Sequence, residues 1–239
     1  MIRARRAKRV EGTAVESRST TQHGVAPRYA ISEAARILRV KPVTLRTWCV
    51  GWKKTPARRG QPPVIRADGD QLDETYLSFF NLIEAGFLNA YRETGAPMQR
   101  VRAALEFCRT RLSIPRPLLT QRFRIDGRDL VLEYDKGLLN ASASGQYLWP
   151  ELVERWLREI DFDSVGPIQV WIAGRESSIL VNPRIGFGVP ILGSCGVRTE
   201  EIVSRFHAGE EPREIAEDLG AKEGEVLDAI RWETTPLAA

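Results

Sequence analysis

The chain has 239 residues, of which 43% are hydrophobic and 28% are charged. This length can bury a sizeable core and favours two or three domains over one. No apolar run approaches the roughly 18 residues of a membrane helix, and the first ten residues lack the apolar segment of a signal peptide. We therefore expect a cytoplasmic protein with no membrane contact.

Charge divides the chain into two unlike halves. Residues 1–128 hold 25 basic and 11 acidic residues (net +14), whereas residues 129–239 hold 10 and 20 (net −10). This asymmetry predicts a polyanionic partner for the first half only. Cys49, Cys108 and Cys195 are far apart and lack CxxC spacing, which indicates a reducing compartment and buried roles.

Residues 1–27 contain six Arg or Lys residues and few apolar ones. This composition predicts a disordered basic arm. The arm either adds phosphate contacts or only keeps the chain soluble, and we favour the second interpretation.

The stretch from Tyr29 to Lys54 predicts two short helices joined by a tight turn. Ser32 can cap the first helix, and Pro42 suits the first position of the second. The residues expected to face the first helix are Val43, Leu45 and Trp48, and those expected to point outward are Thr44, Arg46 and Thr47. This is the helix-turn-helix arrangement that reads DNA.

The alternative is a helical hairpin that only packs. Charge argues against it, because residues 28–66 hold ten Lys or Arg and a single acid, Glu33, for a net charge of +9. A surface that meets DNA needs such an excess, and one that only packs does not.

The same stretch resembles the opening of MerR-type regulators. The matching residues are Tyr29, Ile31, Glu33, Ala34, Ala35, Leu38, Thr44, Leu45, Arg46 and Trp48. The chain departs from that pattern at Lys41, where the family usually has a Ser or Thr cap. The substitution weakens the cap and adds a charge that can reach phosphate.

Residues 51–67 predict a β-hairpin wing, with Trp52, Val64 and Ile65 at strand positions and a turn at residues 57–60. Its basic residues would contact phosphate. The candidate DNA-binding residues are therefore Lys41, Thr44, Arg46 and Thr47 on the helix, and Lys53, Lys54, Arg58 and Arg59 on the wing.

Large apolar residues recur at helical spacing from Tyr76 to Tyr91, which predicts a helix buried on more than one side. It belongs either to the core or to a homodimer contact, since two-fold operators favour two-fold proteins. A second helix is predicted from Pro97, and residues 28–112 form the DNA-binding unit.

Residues 113–180 predict a small α+β unit. Asp126-Gly127 marks one hairpin, Gly174 marks another, and the segment from Trp149 to Ile160 has the spacing of a helix.

Residues 181–239 predict a loop followed by three helices that start near Thr199, Pro212 and Lys222. Phe206 and Leu227 are among the residues expected in their core. The segment is similar to the family called domain of unknown function 433. The matching residues are Pro183, Arg184, Gly188, Pro190, Gly193, Gly196, Val197, Gly209, Ile215, Ala216, Val226, Ala229 and Ile230.

This module has the shape of a helix-turn-helix but the opposite charge. Residues 199–233 hold four basic and eleven acidic residues (net −7), which phosphate would repel. We interpret it as a protein-binding or structural module. Cys195 and His207 lack a third orienting group, and the glycines form no nucleotide fingerprint, so neither an enzyme nor a cofactor or metal site is predicted.

The predicted fold class is α+β and mostly helical, with a winged helix-turn-helix, a small α+β unit and a trihelical module. This domain order resembles VapB-type antitoxins, which implies a ribonuclease toxin and operator DNA as partners and repression of the chain's own operon. The alternatives are a stand-alone MerR-like regulator with a sensing domain and a purely structural adaptor.

Overall fold

The structure is a computed structural model that describes residues 23–53, 55, 60–70, 74–93, 95, 97–110, 113, 115–119, 151–163 and 166–236. Within these ranges, helices and two small antiparallel sheets form a mixed α+β fold. None of the helices described there is long and apolar enough to cross a membrane.

The strands of the N-terminal sheet come before and after the first two helices in the chain. Strand β1 (Pro27–Ala30) leads directly into helix α1 (Ile31–Ile37), and α2 (Pro42–Cys49) follows after a four-residue turn. Strands β2 (Gly69–Asp70) and β3 (Thr75–Ser78) complete the sheet in the order β1-β3-β2, and β3 is antiparallel to both neighbours. This pairing ties the chain entering α1 to the chain entering the next, longer helix.

That longer helix, α3 (Phe79–Glu93), is the centre of the larger core. It begins three residues later than predicted, because Tyr76 and Leu77 lie in β3. Its apolar residues are buried within the chain, against α5 (Glu151–Arg158) and a 3-10 turn at Pro117–Leu119. The apolar stripe that suggested a homodimer contact is therefore already covered.

Helix α4 (Met98–Thr110) follows α3, as predicted from Pro97. The indole of Trp156 on α5 packs where Gly86 has no side chain, since a Cβ there would lie 1.9 Å from that ring. Trp156 also donates from Nε1 to the Ile83 carbonyl at 3.3 Å. Gly86 thus lets α5 approach the backbone of α3 closely.

A second sheet has the antiparallel order β4-β5-β6-β7, formed by Ile160–Phe162, Pro167–Trp171, Ile179–Val181 and Pro190–Leu192. The predicted strand pair around Gly174 is confirmed by β5 and β6. Ile160 lies in β4, so the helix predicted from Trp149 to Ile160 ends earlier, at Arg158. The predicted hairpin at Asp126-Gly127 lies outside the described residues.

The last three helices of the described residues are α6 (Thr199–His207), α7 (Pro212–Leu219) and α8 (Glu223–Thr234). Their starts agree with the prediction to within one residue. They enclose a separate small core that includes Ile202, Ile215, Val226 and Ile230. Phe206 and Leu227, which were predicted to be buried, are 38% and 41% exposed because the short helices leave their outer faces in solvent.

The larger core is continuous from the N-terminal helices to the second sheet. Tyr29 and Phe79 share one cluster of buried residues with Leu118, Leu157 and Val181. The proposed boundary between residues 112 and 113 therefore crosses buried contacts, so a fragment cut there would expose apolar surface. Experiments on function are better done with the whole chain.

Helix α3 carries a buried carboxylate. Glu84 is 3% exposed, accepts from Asn81 Nδ2 at 3.1 Å and lies 3.6 Å from the Arg116 guanidinium, which also pairs with Asp68. Burial raises the pKa of Glu84, and Arg116 and the Asn81 amide offset part of that rise. The folded protein therefore holds this proton at a higher pH than the unfolded chain does.

Glu84→Gln should change how stability depends on pH. Because the folded pKa is raised, the folded state binds more protons just above the ordinary Glu range, and Glu84 makes stability fall as pH rises there. We expect the unfolding free energy of the wild type, minus that of the variant, to decrease as the pH rises above the ordinary Glu range. Urea unfolding of both proteins at matched pH values measures this difference. A difference that increases with pH would contradict the assignment.

Candidate nucleic-acid interface

The turn between α1 and α2 is closed by backbone hydrogen bonds. Val40 N donates to Ala35 O at 2.9 Å and Arg39 N donates to Arg36 O at 3.2 Å, the Schellman pattern that ends many helices. Arg39 adopts φ 53°, a left-handed conformation usually taken by glycine. Ser32 is not the cap of α1: the helix begins at Ile31, and its N-cap is Ala30, two residues before the predicted cap.

The Arg39 side chain explains why an arginine occupies this turn. Its guanidinium lies 4.0 Å from the Trp232 ring centroid and donates to the carbonyl oxygens of Trp232 and Thr235, at the end of α8. Arg36 pairs with Glu233 of the same helix at 2.7 Å. Two of the ten basic residues counted between residues 28 and 66 therefore hold the C-terminal module rather than face DNA.

Helix α2 has one buried face and one exposed face. Lys41 is its N-cap residue and forms no side-chain cap hydrogen bond, and Pro42 is at its start, as predicted. Leu45, Trp48 and Cys49 are buried against α1. Val43 was predicted to join them, but it is 59% exposed. Residues two apart on a helix lie on opposite sides, so Val43 and Leu45 cannot both face inward.

The exposed face carries the predicted contact residues on α2. Lys41 and Arg46 are exposed, and Thr44 and Thr47 are half-buried. Thr47 donates its hydroxyl proton to Val43 O at 2.8 Å, which leaves an acceptor and a methyl group available for DNA. No acidic residue occurs in this helix. The surface is therefore cationic with small uncharged groups between the charges.

The chain after α2 folds back and contacts the end of that helix. Trp52 and Gln61 exchange two backbone hydrogen bonds of 2.8 and 2.9 Å, which form an isolated antiparallel bridge at the base of the predicted hairpin. Val64 and Ile65 were predicted at strand positions, but they lie outside the strands. Their N–H groups donate to Trp48 O at 2.7 and 3.0 Å and so satisfy a carbonyl at the end of α2. Lys53 is exposed beside this base. Lys54, Arg58 and Arg59 lie outside the described residues.

Gly51 allows the chain to turn from α2 into the hairpin. Its φ is +75°, and a Cβ there would lie 2.3 Å from Gln61 O. Gly51→Ala should combine backbone strain of about 1–2 kcal/mol with a clash of about 1–3 kcal/mol. Gly220→Ala is the matched control, because Gly220 has φ +64° with no atom within 4 Å.

We expect denaturant unfolding to show a larger loss of stability for Gly51→Ala than for Gly220→Ala. Equal losses in the two variants would mean that the contact with Gln61 does not constrain the hairpin.

Two buried groups lie in the helix-turn-helix, and one of them, Tyr29, joins it to a distant segment. Tyr29 donates to Gly188 O at 2.7 Å, which anchors the loop before β7, and burial raises the pKa of Tyr29. Burial also raises the pKa of the Cys49 thiol to about 12, so this cysteine is an inert core residue, as predicted. No local pattern in the sequence predicts the contacts of Tyr29, Arg39 or Trp232 with distant segments.

The C-terminal helices present the opposite charge to solvent. On α7 and the start of α8, the exposed acids include Glu214, Glu217, Asp218 and Glu223. Arg205 is tied to Glu210 and Asp218 by ion pairs. Of the two helix-turn-helix shapes, the N-terminal one therefore has a surface suited to phosphate, and the C-terminal one repels it.

Comparison with known proteins agrees with this assignment of the N-terminal helices. Residues 27–105 match a family described as "Putative DNA-binding HTH domain". The fold and the matched family define a helix-turn-helix DNA-binding domain in this part of the chain, and they point to a regulatory protein rather than an enzyme.

The similarity to individual proteins extends across both modules. The chain is 29% identical over 223 residues to a Mycobacterium tuberculosis (strain ATCC 25618 / H37Rv) protein named "Putative antitoxin VapB45", covering 85% of this chain and 92% of that protein. The X-ray crystal structure of Rv2018 from Mycobacterium tuberculosis matches with a TM-score of 0.73 and 28% identity, covering 86% of this chain and 98% of that chain. Both matches cover nearly the whole of the other protein.

Proposed function

We propose that this chain is a cytoplasmic antitoxin of a type II toxin–antitoxin pair. It binds and neutralises a VapC-type ribonuclease toxin, and it represses its own operon by binding operator DNA. The observation that carries the proposal is the similarity to a protein named as an antitoxin, which extends over 85% of this chain rather than over the helix-turn-helix alone. A MerR-like N-terminal unit and a family 433 C-terminal unit are part of the same proposal.

For DNA binding, we propose that α2 enters the major groove and that the hairpin contacts phosphate. Arg46, Thr44 and Thr47 lie near base edges in this arrangement, and Lys41 and Lys53 bind phosphate, as do Lys54, Arg58 and Arg59. The exposure of Lys41, Arg46 and Lys53 and the absence of acids on α2 support it. The chain acts as a homodimer on a two-fold operator, through a surface other than the buried α3.

For toxin binding, the support is electrostatic. A ribonuclease attracts RNA, so its cleft is expected to be electropositive. The net charge of −7 over residues 199–233 would steer such a partner toward the C-terminal module and would keep that module away from DNA. Rim charges of this kind mainly raise association rates, so neutralising them should slow binding more than it weakens the complex.

Footprinting the whole chain on the DNA upstream of its own gene tests the operator claim. We expect a protected two-fold site, and repression of a reporter placed behind it. Addition of the neighbouring gene product separates the main proposal from the alternative regulator: an antitoxin forms a complex with it, whereas a stand-alone sensor does not. Failure to protect any upstream site would contradict operator binding.

A further inference from the structure

Helix α2 carries an exposed apolar stripe whose two valines, Val43 and Val50, are not among the predicted DNA contacts. Val43 is 59% exposed and Val50, which caps the helix, is 43% exposed. Thr47 lies between them, so the three residues are at positions i, i+4 and i+7 and share one side of the helix. On the outer side of a DNA-reading helix, such apolar side chains can contact an apolar partner.

The neighbouring charges indicate which partner it is. Lys41 and Arg46 are exposed on the same helix, Lys53 is exposed just after it, and no acid occurs in α2. This set complements phosphate, so the partner is a duplex rather than an apolar protein surface. In the major groove, the apolar group that a base edge offers is the 5-methyl group of thymine.

We propose that Val43 contacts the 5-methyl group of a thymine and so determines part of the operator sequence. The N-terminal residues of a recognition helix reach base edges, and Val43 is the second residue of α2, whereas Val50 follows its end. The hydrogen bond from Thr47 to Val43 O fixes the first turn of the helix beside this contact. This inference rests on the proposed binding of operator DNA.

Replacing thymine with deoxyuridine provides the test, because deoxyuridine keeps the base pair and lacks only the 5-methyl group. A high-affinity duplex is first selected from a random library with the whole wild-type chain. Each thymine is then replaced in turn, and the Kd is measured by fluorescence anisotropy. We expect deoxyuridine at one position per half-site to weaken wild-type binding by about three- to fivefold, the effect of one methyl group.

Val43→Ala completes the cycle. Because a homodimer carries Val43 in both protomers, we expect this variant to lose, on the thymine duplex, the factor that deoxyuridine in both half-sites costs the wild type, and to lose nothing further on a duplex with deoxyuridine in both half-sites. Val50→Ala is the matched control: it shortens an exposed valine of the same stripe and should keep the full response to deoxyuridine. Both valines are exposed, so either variant should fold as the wild type does, and far-UV circular dichroism checks this point.

Each contrary result has a distinct meaning. Sequence-specific binding that ignores every thymine-to-deoxyuridine change, or a Val43→Ala variant that keeps the penalty, would overturn the inference and leave DNA binding intact. A wild-type chain that selects no sequence would instead overturn operator binding itself. Dissociation of a dimer by Val43→Ala in sedimentation would assign the stripe to a second copy of the chain and would also overturn the inference.

Discussion

Replacing Lys41, Arg46 and Lys53 together with alanine should flatten the dependence of DNA affinity on salt. Each lysine or arginine that neutralises a phosphate releases counterions and contributes about 0.9 to the slope of log affinity against log salt. If Lys41 and Lys53 contact phosphate and Arg46 reads a base edge, as proposed, the slope should decrease by about 1.8 per protomer, whereas a decrease of about 2.7 would assign Arg46 to phosphate as well. The three side chains are exposed, so the variant should fold as the wild type does. Anisotropy titrations at several salt concentrations give the slope.

A control with the same change in net charge lies on the other module. Arg213, Lys222 and Arg231 are exposed on or beside α7 and α8, among the acids. Replacing these three with alanine should leave the slope unchanged. A decrease equal to that of the first variant would mean that net charge, rather than contact at α2, controls DNA affinity.

The role of Arg46 in DNA binding can be tested separately from that of the lysines. If its guanidinium reads a guanine, Arg46→Ala should cost about 1–3 kcal/mol on the operator and much less on unrelated DNA. An equal loss on both would assign Arg46 to phosphate.

Leu45→Ala should destabilise the protein by about 2–5 kcal/mol, the usual cost of truncating a fully buried leucine. Leu45 is 0% exposed and holds α2 against α1. Val43→Ala, two residues away on the same helix, should change the unfolding free energy by less than about 0.5 kcal/mol, because Val43 is 59% exposed. Urea unfolding of the two variants compares the two faces of α2 directly. Similar losses of stability would mean that Val43 packs in the core.

The sequence predicted the elements well where local pattern decides them. Pro42 and the spacing of Leu45 and Trp48 placed α2, and the apolar spacing after Thr199 placed the three C-terminal helices. In each case the signal is contained within a few residues, through helix start residues and the repeat of buried positions.

The errors came from distant contacts and from helix geometry. Tyr76 and Leu77 fit a helical repeat, but pairing with β1 draws them into a strand. The width of the apolar stripe on α3 suggested a second chain, yet α5 covers it from some 60 residues further along. Arg39 contributed to the net charge that favoured DNA binding, because a sequence does not show that the Trp232 ring lies 4.0 Å from its guanidinium. Such contacts depend on the fold as a whole, so local pattern cannot supply them.

The most direct test of the proposal is a ribonuclease assay with the product of the neighbouring gene. That protein alone should degrade RNA, and adding the whole chain in equimolar amount should stop the cleavage and yield a complex that co-purifies. The Lys41, Arg46 and Lys53 triple-alanine variant should neutralise it equally well, since these residues serve DNA binding in our account. Cleavage that continues unchanged in the presence of excess chain would contradict the assignment as an antitoxin.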